Sequence, residues 1–154
     1  MNLNPGIVKA YDVRGLYPSE VNEEGARAIG AAFVAYLQAK RIAVGRDMRL
    51  SSPALAAAFI DGATAQGADV VDYGMVSTDM LYFAVASDGH DGGVQITASH
   101  NPKEYNGIKM VRREAFPLSG NASRRTILRP LYSFGLCDAV TWTPPSWPSD
   151  ATAK

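Results

Sequence analysis

Apolar residues recur along this chain with two different periods, and the alternation between them predicts its elements. Ala26, Ile29, Gly30, Phe33, Val34 and Leu37 return every three or four positions, which places them on one buried face of a helix. Asn22 stands where it can cap that helix, Glu23 and Glu24 suit its first turn, and Lys40-Arg41 closes it with positive charge. A second helix is predicted from Ser51 or Ser52 with Pro53, carries Leu55, Ala56, Phe59, Ile60 and Ala63 inward, and ends at Gly67. Ser77 or Thr78 opens a third that runs to about Ser87, with Met80, Leu81, Ala84 and Val85 inward.

Between the helices lie short apolar runs too brief to be helices of their own. Ile7–Ala10, Ile42–Gly45, Asp69–Gly74, Gly92–Thr97 and Gly107–Val111 are read as strands, the first of them delivering Tyr11-Asp12-Val13-Arg14-Gly15 into a turn. The order predicts an α/β domain: three α/β/α layers around a mostly parallel, mixed sheet. In such sheets ligands gather at the carboxyl ends of the strands. The polar clusters fall there, at Tyr11 to Gly15, Arg46 to Arg49 and Thr97 to Asn101. No internal repeat is found.

Composition narrows the classes. A chain of 154 residues, 47% hydrophobic, can bury one core. Acidic and basic residues number 15 each, so no overall field draws the chain to nucleic acid or to anionic lipid. Cys137 has no partner for an intrachain disulfide, Met1 to Gly6 lacks the features of a signal peptide, and no apolar run reaches the length of a membrane span. The expectation is a cytoplasmic protein without nucleic-acid or membrane partners. Asn121-Ala122-Ser123 matches a glycosylation triplet, which matters only in a secreted chain.

Pattern is lost near Gly120. Residues 121–154 hold 12 Ser, Thr or Pro residues and both tryptophans, with no sustained period, and read as a poorly specified tail after a domain spanning 1–120.

The chemistry concentrates where the strand Gly92–Thr97 turns polar. A serine is a weak nucleophile until a neighbour takes its proton or cations stabilise the group it accepts. Around Ser99 the sequence offers His100, Lys109 beyond the turn, and Arg14 and Arg49 from other strand ends. A serine ringed by cations suits phosphoryl transfer, which depends on positioning and on neutralising charge. The same Ser-His-Asn-Pro composition also makes an ordinary turn.

Thr97-Ala98-Ser99-His100-Asn101-Pro102 followed by Tyr105-Asn106-Gly107-Ile108-Lys109 resembles the phosphoserine loop of the α-D-phosphohexomutases, the phosphomannomutase and phosphoglucomutase group. Tyr11-Asp12-Val13-Arg14-Gly15 is similar to that family's N-terminal signature, and Gly45-Arg46-Asp47-Met48-Arg49-Leu50-Ser51-Ser52 to its second-strand segment. The likeness covers about residues 5–120, the first of the family's four domains.

The resemblance implies that Ser99 carries a phosphoryl group, gives it to a hexose monophosphate and recovers one from the hexose 1,6-bisphosphate. His100 and Lys109 would lie beside it as candidates for proton transfer and charge neutralisation. Tyr11 and Arg14 would contact the sugar phosphate or the phosphoserine. Asn101 and Asn106 would hold the loop's shape through local hydrogen bonds, while Arg46, Asp47 and Arg49 would lie one layer out from the reacting groups or serve the fold. Mg²⁺ would be held in part by a phosphoryl oxygen on Ser99, but no Asp-x-Asp-x-Asp spacing supplies its other ligands.

The family's second, third and fourth domains have no counterpart in this sequence. The chain is therefore read as truncated and inactive alone, with a frameshift near residue 120 as the expected cause. A non-enzymatic remnant that keeps the fold and binds phosphate is the alternative. Self-association through the surface that would face a second domain is also expected.

Overall fold

The computed structural model describes residues 5–9 and 12–118. Among these a short 3-10 turn, Pro5–Ile7, precedes β1 (Asp12–Leu16), α1 (Glu23–Leu37), β2 (Arg41–Arg46), α2 (Ser52–Ala65), β3 (Asp69–Met75), α3 (Thr78–Ser87), β4 (Gly92–Ile96) and β5 (Tyr105–Arg112), with a further 3-10 turn at Arg113–Ala115. The strands form one sheet in the order β1-β5-β4-β2-β3. β2 runs parallel to β3 and β4, whereas β5 is antiparallel to both β1 and β4. Four of the five strands thus point the same way and only β5 is reversed. This is the mixed, mostly parallel sheet that the alternation predicts.

Period-two alternation assigns the strand side chains to two faces. Val13, Ile42, Val44, Val94, Ile96, Ile108 and Met110 join the large core under α1 and α2. Ala43 and Val111 face the other way, packing with Leu81 and Val85 of α3. The three layers are α1 with α2, the sheet, and α3.

Two glycines let α1 and α2 cross closely. A Cβ on Gly30 would stand 2.2 Å from the Phe59 carbonyl oxygen, and one on Gly62 would stand 1.9 Å from that of Arg27. With backbones this near, Phe33 and Phe59 meet with ring centroids 6.0 Å apart.

Local chemistry holds the helix ends. Asn22 Oδ1 accepts the Gly25 N–H at 2.9 Å and Ser77 Oγ accepts the Met80 N–H at 3.2 Å, satisfying amides that have no partner inside the helix. α1 stops at Leu37 because Gln38 takes a left-handed conformation, φ 50°, and returns its N–H to the Val34 carbonyl. Arg41 therefore opens β2 rather than closing the helix.

Three further readings are corrected. The first strand is Asp12–Leu16, not Ile7–Ala10: Ile7 lies in the 3-10 turn and Val8 makes only an isolated bridge to Val13. Five register pairs with β5 outweigh the short apolar run, and the alternate burial of Val13 and Gly15 marks an edge strand with one face in the core. Met80 is exposed with Phe83 and Met75, because α3 turns Leu81, Ala84 and Val85 to the sheet. β5 begins at Tyr105 and ends at Arg112, longer at both ends than Gly107–Val111, since it pairs on two sides. The readings of Ala10, Tyr11 and residues 119–154 fall outside the described residues. Among the described residues no helix is long and apolar enough to cross a membrane.

Candidate functional site

The polar segments that the sequence separates are brought to one end of the sheet. Thr97 continues the path of β4, its N–H donating to the Gly107 carbonyl at 2.9 Å. Its hydroxyl then accepts the Ser99 N–H at 2.9 Å, which turns the chain abruptly. Ser99 sits at φ 56°, in the left-handed region where an L residue is strained. Its side chain is exposed, and Oγ makes no hydrogen bond to a described residue. His100 beside it is exposed as well.

The register shows which cations accompany this serine. Arg14 stands opposite Gly107, the residue that receives Thr97, while Lys109 stands between Asp12 and Gln95. Opposed residues share a face, so Asp12, Arg14, Gln95, Thr97 and Lys109 all lie on the α3 side of the sheet. Arg14 Nη2 donates to Asp12 Oδ2 at 2.5 Å, and Arg14 Nε is buried without a hydrogen-bond partner among the described residues. Gln95 is buried with its Nε2 on the Val76 carbonyl at 2.9 Å and its Oε1 unpaired among the described residues. Tyr82 of α3 faces the same region. Burial first, and then the Asp12 and Asp79 carboxylates, push its phenol above the ordinary range.

Behind the serine, the loop that follows β2 forms a continuous hydrogen-bonded support. Arg49 Nε donates to Asp47 Oδ2 at 3.2 Å. Its Nη1 donates to the carbonyls of Pro102 (2.7 Å) and Tyr105 (3.0 Å), and its Nη2 to those of Ser99 (3.1 Å) and Asn101 (2.7 Å). Asp47 Oδ1 accepts the Ser52 hydroxyl at 2.5 Å and the Arg49 N–H at 3.1 Å. Asn106 Nδ2 donates to Ser51 Oγ at 2.7 Å and to Ser52 Oγ at 3.0 Å, while its Oδ1 accepts the Gly107 N–H at 2.8 Å. Asn101 Nδ2 closes the turn on the Ala98 carbonyl at 2.8 Å.

Of the residues singled out in the sequence, Asp47, Arg49, Asn101 and Asn106 thus meet around the Ser99 loop, and Arg14 and Lys109 share a sheet face beside it. Arg46 does not join them. It pairs with Asp72 at 3.3 Å across the neighbouring strand. Tyr11 lies outside the described residues. Ser51, Ser52 and Thr97 enter the sequence reading only as cap or motif residues without a role at the site, and Tyr82 is not singled out there. Ser51 occupies the N-cap position of α2 but makes no capping bond, because its hydroxyl and that of Ser52 are taken by Asn106. A hydroxyl that reads as a cap gives no sign that a residue more than fifty positions away will claim it.

Comparison with known proteins settles the family. Residues 6–129 match the sequence model described as "Phosphoglucomutase/phosphomannomutase, alpha/beta/alpha domain I". The chain belongs to the phosphoglucomutase/phosphomannomutase family. Phosphomannomutase of Salmonella montevideo is 48% identical over 121 residues, covering 79% of this chain and 26% of the relative. A Klebsiella pneumoniae phosphomannomutase is 46% identical over 121 residues, which cover 79% of this chain and 77% of that one. In a crystal structure of a phosphoglucomutase/phosphomannomutase family protein from Burkholderia thailandensis, 31% of that chain superposes on 86% of this one, with TM-score 0.78 and 38% identity. The chain therefore spans about a quarter of the Salmonella relative's length. The fold is that of the family's first domain, a five-stranded mixed sheet with three helices.

Family members are named for mutases, and a divalent metal is the cofactor that the resemblance implies. Among the described residues no three His, Cys, Asp or Glu side chains gather as a metal site. The donor set around Ser99 is hydroxyl, amide and cation, which does not fit a divalent ion on its own.

Proposed function

We propose that this chain is the serine-bearing domain of a phosphohexomutase, in which Ser99 carries a phosphoryl group between positions of a hexose phosphate. The observation that carries the reading is the setting of Ser99. Its hydroxyl is exposed and unengaged by any described residue, at the end of a sheet face that also bears Arg14 and Lys109.

In the transfer, a hydroxyl oxygen of a hexose monophosphate attacks the phosphorus on Ser99. The bond from phosphorus to Ser99 Oγ breaks, the sugar hydroxyl's proton passes to a neighbouring base, and the departing Ser99 Oγ takes up a proton to become a neutral hydroxyl. In the return step Ser99 Oγ gives its proton to the base and attacks the other phosphorus of the hexose 1,6-bisphosphate; the bond from that phosphorus to the sugar oxygen breaks, the sugar oxygen takes up a proton, and the carrier is regenerated. Arg14 and Lys109 bring positive charge to the transferred oxygens, and His100 and Lys109 are the candidate proton acceptors. Tyr11 completes the phosphate contacts in this reading. Asp47, Arg49, Asn101 and Asn106 act through the shape of the loop, and Arg46, paired with Asp72, stands apart from them. Mg²⁺ belongs to the reading only with ligands from beyond the described residues, and no step is derived through it.

Hexose phosphates are the partners, in a cytoplasmic setting and without nucleic acid or membrane. Self-association through the apolar surface that would face a second domain is part of the same reading. Because the chain spans 26% of the Salmonella phosphomannomutase, the isolated chain is expected to show no turnover in a coupled mutase assay. Intact-mass measurement tests the carrier role. One added phosphoryl group is expected, and it is absent from Ser99→Ala. An added mass that survives the substitution removes Ser99 from the mechanism. Turnover by the isolated chain would show that the remaining domains are not needed. A chain that binds inorganic phosphate yet never carries it covalently would instead be the phosphate-binding remnant.

A further inference from the structure

We propose that Arg49 is a positioning residue, which fixes the conformation in which Ser99 presents its hydroxyl, and that it does not itself bind the substrate phosphate. The proposal rests on the phosphoryl-carrier reading of Ser99 and deepens it. A guanidinium has five N–H groups in one plane. In Arg49 all five are engaged: Nε with Asp47, Nη1 with the Pro102 and Tyr105 carbonyls, and Nη2 with the Ser99 and Asn101 carbonyls. No donor is left for a phosphate oxygen. The charge of Arg49 still acts on the site, but its hydrogen bonds go to the main chain of the loop.

The loop needs such an anchor. Between Ser99 and Tyr105 its own main-chain bonds are the Asn101 N–H on the Ala98 carbonyl at 3.1 Å and the Tyr105 N–H on the Pro102 carbonyl at 3.0 Å. Ser99, at φ 56°, holds a conformation that persists only where its surroundings over-determine it. Four carbonyls converging on one planar cation provide that constraint. Asp47 orients the cation from behind, since its Oδ2 takes Nε while its Oδ1 takes both the Arg49 N–H and the Ser52 hydroxyl. A lysine could not substitute: its three donors radiate from a single nitrogen and cannot span carbonyls from Ser99 to Tyr105.

The test compares amide hydrogen exchange in the wild-type chain, Arg49→Lys and Arg49→Ala, read residue by residue by NMR. In both variants the Ser99, Asn101 and Tyr105 amides are expected to exchange about tenfold faster or more, while Val94 in β4 keeps its wild-type rate. Methylguanidinium added to Arg49→Ala is expected to restore the loop rates, and ethylammonium to leave them fast. Phosphoryl occupancy of Ser99, read by intact mass, should fall in parallel. If Arg49→Ala does not fold, Arg49→Lys decides alone through the split between loop and β4 rates.

Unchanged loop rates, or loop and β4 amides accelerating together without selective rescue, would overturn the proposal in favour of a general structural role. A wild-type chain that never carries a phosphoryl group would remove the carrier reading instead. The exchange result would still decide whether Arg49 sets the loop.

Discussion

Asn106 Nδ2 lies 3.0 Å from Ser52 Oγ, joining the first residue of α2 to β5 across 54 positions of sequence inside a fully buried contact. The same hydroxyl donates to Asp47 at 2.5 Å, so one serine connects the support of the Ser99 loop to the strand that carries Lys109. Removing that hydroxyl takes one of two partners from the buried Asn106 amide, which keeps Ser51, and one donor from the half-buried Asp47 carboxylate, which keeps the Arg49 N–H. Ser52→Ala is expected to lower stability by about 1–3 kcal/mol. Urea unfolding should report this as a lower midpoint with an unchanged slope. A loss below about 0.5 kcal/mol, the range of ordinary surface substitutions, would mean that water or a shifted side chain replaces the hydroxyl.

Gly62→Ala sets two known effects against each other. Alanine is favoured over glycine in a helix by about 1 kcal/mol. Here, however, the new methyl would sit 1.9 Å from the Arg27 carbonyl oxygen, a main-chain atom that moves only if α1 and α2 part. Steric separation wins. The substitution is expected to destabilise by about 3 kcal/mol or more, at the upper end of overpacking effects. A thermal midpoint equal to or above that of the wild type would contradict the close helix crossing.

Ser99 should show an opposition between stability and chemistry. Its φ of 56° is strained for any residue with a Cβ and relaxed for glycine. Ser99→Gly is expected to stabilise the chain by about 1 kcal/mol while abolishing phosphoryl attachment, and Ser99→Val to destabilise it. Chemical denaturation of the three proteins side by side checks the order. If glycine is the least stable of them, the left-handed conformation is not held in solution.

His90 should make the fold sensitive to mild acid. The ring is buried just before β4, with Nε2 2.9 Å from the Tyr73 phenol oxygen Oη and Nδ1 without a partner among the described residues. Burial, and then the nearby Arg41 cation, hold its pKa below the ordinary 6.5, against the opposing pull of Asp88 and Asp91. The unfolded chain therefore binds the proton first. This contribution to stability is complete above about pH 6.5 and is lost as pH falls toward the lower folded value. Asp88 and Asp91, held below the carboxylate value of 3.8, add their own loss only in more acidic solution. Urea midpoints between pH 7.5 and 5.0 should fall for the wild type and fall less for His90→Gln. Equal slopes in the two proteins would exclude the histidine as the source.

Much of the architecture was legible in the chain because its causes are local. The apolar spacing from Ala26 to Leu37 needs only helical geometry to become a buried face, and Asn22 needs only three following residues to become its cap. The short run Ile42–Gly45 could hardly be anything but a strand buried on both faces. The Ser99 loop, too, was marked in the sequence, since a hydroxyl, an imidazole and an amide in succession before a proline break the pattern of β4.

What the tertiary structure alone decided depends on partners distant in the chain. Asp12–Leu16 reads as a turn until β5 offers it a ladder, and the reversal of β5 cannot be inferred from its own residues. Ser51 and Ser52 read as helix caps until Asn106 claims their hydroxyls. Arg49 reads from the sequence as a supporting or structural cation, but that its five donors go to Asp47 and four loop carbonyls is decided only by the fold. Local spacing determines which face of an element is apolar. Where a long polar side chain finds its partner is settled only when the elements pack, because an unpaired buried donor costs more than any local preference for where it should point.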